Sequence, residues 1–317
     1  MKKILVAAAA FLIASSASFA QMEGPVSTQA LVALDTKSDQ TPTIGNVMLS
    51  VNGKKEQLTS WTQVPPTGAQ IAVLIDDGLR ESVGRELNSL RAFANSLPPG
   101  TELFIGYMRN GTVFQEAPFT TDHAAAAAKF RLPVGTPGVS ASPYFCLSEF
   151  VKHWPSNRPA ARFVMMITNG VDPYNGSTSV MNQDSPYVQS ATEDAARAGV
   201  AVYSIYFGDA GFGGGGGGRR GRGGSASFSG QSYLAQVSEG TGGTAYWQGI
   251  GNPVSMVPYL DAFKRSISET YVATFQAEAQ GKKNDLVRLK ASSDIHGVKL
   301  RAPDQVRVGN MESGPTQ

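Results

Sequence analysis

The residues best placed to do chemistry stand directly after two apolar segments of the chain, 71–75 and 163–167. They are Asp76, Asp77, Thr168 and Asn169. Carboxylate, hydroxyl and amide oxygens can bind a divalent cation or a polar partner, and an aspartate can also act as a nucleophile. These residue types therefore predict either a binding site or covalent chemistry at Asp76.

Unbroken apolar segments of this length are typical of strands buried on both faces, as in a parallel sheet covered by helices. Ligands of such sheets bind beyond the carboxyl ends of the strands. We therefore expect the two segments to be neighbouring parallel strands whose polar ends meet at one edge of the sheet. A third apolar segment, 200–207, predicts another strand of the same kind.

The segments around these strands alternate between helical and extended patterns. One apolar helical stripe is predicted at Val83, Leu87, Leu90, Phe93 and Leu97. Residues 103–108 and 113–119 flank Asn110-Gly111 and predict an antiparallel hairpin at one edge of the sheet. Ser142-Pro143 and Ser185-Pro186 each place a capping residue before a first-turn proline, which marks two further helix starts.

By pattern, the chain after its amino-terminal 20 residues has a β-like segment 21–66, an alternating domain 67–269 and a β-like segment 270–310. Because the ends of an inserted domain tend to lie close together, the two outer segments are predicted to pack with each other as a small β module. Within the central domain, the Gly- and Arg-rich residues 211–230 predict a flexible loop, and residues 244–247 predict a short strand.

Residues 1–20 have the three parts of a signal peptide: a basic start, an apolar stretch, and small residues up to Ala20, where cleavage is predicted. The mature protein is thus expected to be secreted or periplasmic, without a transmembrane anchor. Lys and Arg number 27 and Asp and Glu 25, and cleavage removes Lys2 and Lys3, so the formal charge of the mature chain is zero. That balance argues against a nucleic-acid partner. The single cysteine, Cys146, excludes an intrachain disulfide and is predicted to be buried.

The order of these elements resembles a von Willebrand factor A domain over about residues 70–269, and the β-like flanks resemble those of exported bacterial proteins with such a domain. The resemblance implies an α/β, Rossmann-like fold, with a mostly parallel central sheet, one antiparallel edge strand and helices on both faces. Members of the family generally bind protein ligands at the carboxyl edge of this sheet, sometimes through a divalent cation. The implied function is non-catalytic adhesion or scaffolding, with an extracytoplasmic protein ligand as the partner.

The family's cation is commonly held by an Asp-x-Ser-x-Ser loop, a distant threonine and the acid of a Thr-Asp-Gly turn. By this resemblance Asp76 and Thr136 are the implied metal ligands, and the turn corresponds to 168–170, with an asparagine in place of the acid. Gly78 and Arg80 stand where the two serines would be. Because Mg²⁺ requires near-octahedral oxygen ligands, these replacements predict a weakened or absent metal site.

Three alternatives remain for the same residues. In the first, Arg80 replaces the metal by pairing with Asp76 or Asp77. In the second, Asp76, Asp77 and Asp172 form a different cluster of oxygen ligands. In the third, the polar residues after the two strands only cap the strand ends and the neighbouring helices.

The predicted ligand-binding edge consists of Asp76, Asp77, Arg80, Thr136, Thr168 and Asn169. The alternative function is enzymatic, because haloacid-dehalogenase-type phosphotransferases and phosphatases also place an aspartate after the first strand. Asp76 would then be the nucleophile. Their chemistry needs an acid/base aspartate two residues later, where this chain has Gly78, so the non-catalytic interpretation is preferred.

Overall fold

The computed structural model describes residues 24–36, 40–135, 142–172, 174, 185–208, 222–247, 249, 251–279 and 285–310. The predicted signal peptide and Thr136 lie outside these residues, and of Arg80 only the backbone is described. The strands are β1 (Val26–Thr36), β2 (Val47–Val51), β3 (Lys54–Glu56), β4 (Leu58–Gln63), β5 (Ala69–Asp76), β6 (Glu102–Arg109), β7 (Thr112–Thr120), β8 (Ala161–Thr168), β9 (Val200–Tyr206), β10 (Thr270–Ala277), β11 (Leu286–Ser293), β12 (Val298–Arg301) and β13 (Gln305–Arg307). The α-helices are α1 (Leu87–Asn95), α2 (His123–Ala127), α3 (Pro143–Lys152), α4 (Pro186–Ala198), α5 (Arg222–Gly240) and α6 (Val257–Ser268). Short 3₁₀ helices span Ile44–Asn46, Pro66–Gly68 and Arg80–Glu86.

The central sheet has five strands in the order β7-β6-β5-β8-β9. Strand β5 pairs in parallel with both β6 and β8, β9 pairs in parallel with β8, and β7 is the single antiparallel strand. The apolar residues of β5 and β9 are buried because helices cover both faces of the sheet. The predicted fold class, a mostly parallel sheet with one antiparallel edge, is confirmed.

Alternate residues of the central strands point into two separate cores. Ile71, Val73 and Ile75 belong to the core that contains buried residues of α1 and α6. Ala72 and Leu74 belong to the core formed with α3 and α4. The helical stripe predicted from Val83 to Leu97 is buried in the first core, although its first turns, Arg80–Glu86, are 3₁₀ rather than α-helical.

The amino- and carboxyl-terminal segments together form two antiparallel four-stranded sheets. In one, ordered β12-β1-β10-β4, strand β1 lies between β12 and β10. In the other, ordered β13-β11-β2-β3, strand β11 pairs with β2. Val32, Phe275 and Leu289 share one core between these two sheets. The two sheets together are the predicted β module. The predicted domain bounds, 21–66, 67–269 and 270–310, stay a prediction.

Two local predictions are wrong. Residues 222–230, predicted as part of a flexible loop, form the first half of α5 instead, while 211–221 lie outside the described residues. The predicted strand at 244–247 is reduced to one bridge between Ala245 and Ser204 of β9. No helix in the described part of the chain has the length and apolar character needed to cross a membrane.

Candidate ligand-binding edge

Asp76 and Thr168 end two neighbouring parallel strands and contact each other directly. The register pairs Ile75 of β5 with Ile167 of β8, which places the following residues of both strands side by side. Thr168 Oγ1 donates a hydrogen bond of 2.7 Å to Asp76 Oδ2, and the amide of Gly78 donates one of 2.9 Å to Asp76 Oδ1. We call this end of the central sheet the carboxyl edge, defined by Asp76, Thr168 and the turns that follow them.

The turn after Thr168 uses its own polar groups to hold its shape. Thr168 Oγ1 accepts a hydrogen bond of 3.2 Å from the amide of Gly170, whose φ of 66° is left-handed and favours glycine. Asn169 Oδ1 accepts a 2.9 Å bond from the amide of Val171. The amide oxygen of Asn169 therefore closes a local turn, as the capping alternative expects.

Asp77 lies at the same edge, but its carboxylate is only 1% exposed. Asp77 Oδ1 accepts hydrogen bonds of 2.9 Å from Arg131 Nη1 and from the amide of Val134, and Asp77 Oδ2 lies 3.5 Å from Arg109 Nη1. The carbonyl of Asp77 also accepts a bond of 2.9 Å from the amide of Gly135. Asp77 therefore fastens residues 131–135, the segment that leads to Thr136, against the end of β5.

Arg131, which the sequence analysis did not single out, is the nearer of the two arginines that pair with Asp77. Its guanidinium bonds Glu116 Oε1 at 2.7 Å and stacks 3.8 Å from the ring centre of Tyr107. Burial disfavours the charged form of Arg131, but the hydrogen bonds to Asp77 and Glu116 outweigh it and raise its pKa. No pattern near residue 131 indicated this role, because the partners come from the turn after β5 and from β6 and β7.

Asp172 lies after the same turn and has separate partners. Its Oδ1 accepts a 3.1 Å bond from the amide of Tyr174, and its Oδ2 accepts a 3.1 Å bond from Ser185 Oγ. The described residues contain no group of three or more His, Cys, Asp or Glu side chains that could hold a metal. The alternative cluster of Asp76, Asp77 and Asp172 is therefore wrong, because each carboxylate faces a different set of donors.

Helix α5 packs directly on the turn of the carboxyl edge. A Cβ atom on Gly230 would overlap the carbonyl oxygen of Asn169, and one on Gly170 would overlap the carbonyl oxygen of Gly230. From the buried side of the turn, Tyr144 Oη donates a 2.8 Å bond to the carbonyl of Gly170. The turn is thus held between a buried tyrosine of α3 and the backbone of α5.

Cys146 lies behind the carboxyl edge, and its burial, together with the negative charge of Asp76, raises the pKa of its thiol to about 12. We expect a disulfide reagent such as DTNB to leave Cys146 unmodified at pH 8 in the folded protein and to modify it fully in urea. Between the ordinary thiol pKa near 9 and 12, only the unfolded chain loses this proton, so stability falls as the pH rises through that range. Rapid modification of the folded chain at pH 8 would contradict the buried, protonated thiol.

No protein-family model matches this chain, and a comparison with curated proteins finds no relative. Among solved structures, the chain is similar to a von Willebrand factor type A protein from Catenulispora acidiphila, with 11% identity over 91% of this chain and 74% of that one, at a TM-score of 0.44. It is also similar to the manganese-loaded TRAP protein of Plasmodium vivax, with 12% identity over 77% and 96% of the two chains, at a TM-score of 0.44. BatB from Bacteroides thetaiotaomicron matches with 14% identity over 63% and 98%, at a TM-score of 0.42.

The fold is of the von Willebrand factor A type. That assignment depends on the order of the central sheet, its parallel β5 and β8 strands and its one antiparallel edge. Similarity at these TM-scores carries no conclusion about a ligand or a metal. The function is therefore inferred from the contacts, burial and charges of the carboxyl-edge residues themselves.

Proposed function

We propose that this chain is an exported, non-catalytic protein-binding module for adhesion or scaffolding, and that its partner docks at the carboxyl edge. The contact of 2.7 Å between Thr168 Oγ1 and Asp76 Oδ2 supports this most directly, because it brings the ends of the two predicted binding segments together. Thr168 itself is buried, so the half-buried Asp76 and Asn169 are the members of this pair of segments that a partner can reach. Arg80 and Thr136 complete the proposed edge, and Asp77 acts from beneath it by holding residues 131–135.

Apolar side chains next to the polar residues favour a protein as the ligand. Val134 is 69% exposed although its amide is bonded to the buried Asp77, and Leu132 is 44% exposed. Tyr174 is 55% exposed while its amide is bonded to Asp172. Exposed apolar and aromatic side chains on backbone that is held in place are the groups that protein interfaces bury.

A capture experiment tests the proposed edge. The mature chain, Asp76→Ala, Arg80→Glu and Thr136→Ala are immobilised and exposed to the same extracytoplasmic extract, with Arg288→Ala on the exposed face of β11 as the matched control. We expect proteins retained by the wild type and by the control to be lost from Arg80→Glu and Thr136→Ala at unchanged thermal stability. They should also be lost from Asp76→Ala, which folds with lower stability because it removes the acceptor of the Thr168 hydroxyl and the Gly78 amide. Equal retention by all five proteins would overturn the proposal.

We further propose that divalent cations bind only weakly at this edge. Asp76 supplies one carboxylate, and Thr168 and the implied ligand Thr136 supply one hydroxyl each. Gly78 supplies no side chain, and the amide oxygen of Asn169 is turned toward Val171. Such a set lacks the additional oxygen ligands that Mg²⁺ requires.

Thermal unfolding with millimolar Mg²⁺ or Mn²⁺ measures this affinity. If the dissociation constant is at or above the ion concentration, the ion stabilises the fold by at most about 0.4 kcal/mol. We expect no measurable shift for the wild type and a larger response after Gly78→Ser and Asn169→Asp are combined, because these changes return two oxygen ligands. A clear stabilisation of the wild type would contradict the weak site.

The phosphotransferase alternative gains no support from the edge. Gly78 occupies the position of the required second acid, and its amide donates to Asp76 Oδ1. If the protein hydrolyses p-nitrophenyl phosphate with Mg²⁺, and Asp76→Asn abolishes this activity, the enzymatic function is correct and the proposed binding function is wrong.

A further inference from the structure

Strand β4 is an edge strand without the features that usually prevent pairing between molecules. Its residues, 58–63, include no charged side chain and no proline. The other outer strands carry such features: Lys54 and Lys55 in β3, Glu116 and Pro118 in β7, Lys299 and Arg301 in β12, and Arg307 in β13. The remaining outer strand, β9, is covered where Ser204 exchanges backbone hydrogen bonds with Thr244 and Tyr246. Natural sheets protect their edges with charges, prolines or covers, so the neutral β4 edge stands apart.

The backbone of β4 offers unused hydrogen-bonding groups on its outer side. The amide of Val64 donates a 2.9 Å bond to the carbonyl of Thr270, the first residue of β10. Because bonding alternates along an antiparallel pair, Thr62 also faces β10, while the N–H and C=O groups of Trp61 and Gln63 point away from it. In the described part of the chain, the amides of Trp61 and Gln63 have no backbone partner on that side. A bulge near Thr59 leaves 60–63 as the regular part of the edge.

This part of the edge is held in one conformation. The Trp61 ring stacks on Tyr271 at a centroid distance of 4.7 Å, and Trp61 Nε1 donates a 3.0 Å bond to the carbonyl of Pro42. Gln63 Nε2 donates a 2.6 Å bond to the carbonyl of Ser268. A strand that is already ordered loses little conformational entropy when it pairs.

We propose that β4 pairs with β4 of a second copy of this chain, antiparallel and about a two-fold axis at Thr62. In that register Trp61 lies opposite the second copy's Gln63, and Gln63 opposite the second copy's Trp61. Each of these two pairs exchanges two main-chain hydrogen bonds, so all four outward-pointing groups on each strand are satisfied. Thr62 meets its own equivalent, a favourable cross-strand pair, and no like charges face each other. The four-stranded sheet β12-β1-β10-β4 of each copy then becomes one half of a continuous sheet of eight strands.

The pairing is expected to be weak. Four residues of backbone from each copy bury less surface than the roughly 1,200–2,000 Å² of a stable interface. The dimer should therefore dissociate on dilution. The β4 edge belongs to the β module and not to the carboxyl edge, so failure of this inference and failure of the proposed function are distinguishable.

Sedimentation velocity of the mature chain over a wide concentration range tests the pairing. Gln63→Pro removes one outward N–H without removing a bond to β10, and proline is compatible with an edge strand at such a position. The matched control, Gln63→Ala, loses the side-chain bond to Ser268 but keeps the N–H. We expect the wild type and Gln63→Ala to self-associate, and the dissociation constant of Gln63→Pro to be at least tenfold higher.

A charge exchange at the two-fold axis gives a second test that does not depend on proline. Thr62 is exposed, so lysine or glutamate fits there without burial. We expect Thr62→Lys and Thr62→Glu to be monomeric alone, and their equimolar mixture to associate again, because opposite charges then face each other. A wild type that is monomeric at all concentrations, or association that neither Gln63→Pro nor Thr62→Lys weakens, would overturn the inference.

Discussion

Replacing Asp77 by alanine is expected to lower the free energy of unfolding by about 1–3 kcal/mol or more, because it removes a buried acceptor and leaves a buried amide and a half-buried guanidinium without it. The carboxylate of Asp77 is 1% exposed and bonds Arg131 and the amide of Val134, both at 2.9 Å. Its loss leaves the guanidinium of Arg131 without its buried partner and the amide without an acceptor. Urea unfolding, with the midpoint and slope compared with those of the wild type, measures the effect.

The control for Asp77 is the other acid that Arg131 contacts. Glu116 bonds Arg131 Nε at 2.7 Å, but its side chain is 30% exposed, so solvent screens the pair. We expect Glu116→Gln to cost no more than about 1 kcal/mol. Asp77→Asn, which keeps the volume and one oxygen, should fall between the two variants. If Asp77→Ala costs as little as Glu116→Gln, then Asp77 does not hold residues 131–135.

Hydrogen exchange separates a local effect of Asp77 from a global one. If Asp77 holds residues 131–135 against β5, the amides of Val134 and Gly135 should exchange faster in Asp77→Asn even where the protein remains folded. Capture of the partner should weaken in the same variant, because Thr136 follows the released segment. Unchanged exchange at these amides would show that Asp77 does not hold residues 131–135 at the carboxyl edge.

Replacing Gly230 by alanine is expected to destabilise the protein by about 1–3 kcal/mol or more, as overpacking does in a close contact. In an exposed helix the same change would be stabilising, since alanine is the better helix former. Here the new methyl group would overlap the carbonyl oxygen of Asn169 and lie 3.1 Å from the carbonyl carbon of Gly170. Because backbone cannot yield as a flexible side chain does, α5 must shift away from the turn.

Gly45 provides the control for this substitution. A Cβ atom at Gly45 meets nothing closer than Thr43 Oγ1 at 4.0 Å, so Gly45→Ala should change stability by less than about 0.5 kcal/mol. Urea unfolding of both variants, with hydrogen exchange of residues 165–172, measures the stability and the displacement of the turn. A stable Gly230→Ala variant with an unchanged turn would show that α5 does not press on Asn169.

Much of the fold was predictable from local patterns. The apolar segments 71–75 and 163–167 were correctly predicted as covered strands, and their parallel pairing brings Asp76 and Thr168 together as expected. The predicted caps are also confirmed, since Ser142 Oγ accepts from the amide of Tyr144 and Ser185 Oγ from that of Val188. Strand burial, capping and tight turns depend on residues a few positions apart, so a sequence displays them directly.

Contacts between distant residues were decided only in three dimensions. Nothing near Asp77 or Arg131, 54 positions apart, indicates that they pair, because the sheet brings β5 next to the segment after α2. Residues 222–230 have the composition of a loop but form a helix, whose Gly230 fits closely against the turn at Asn169. The identity of residues 71–75 and 163–167 thus determined where the carboxyl edge lies. Packing determined which of its carboxylates faces outward, because burial and partner choice depend on neighbours that are remote along the chain.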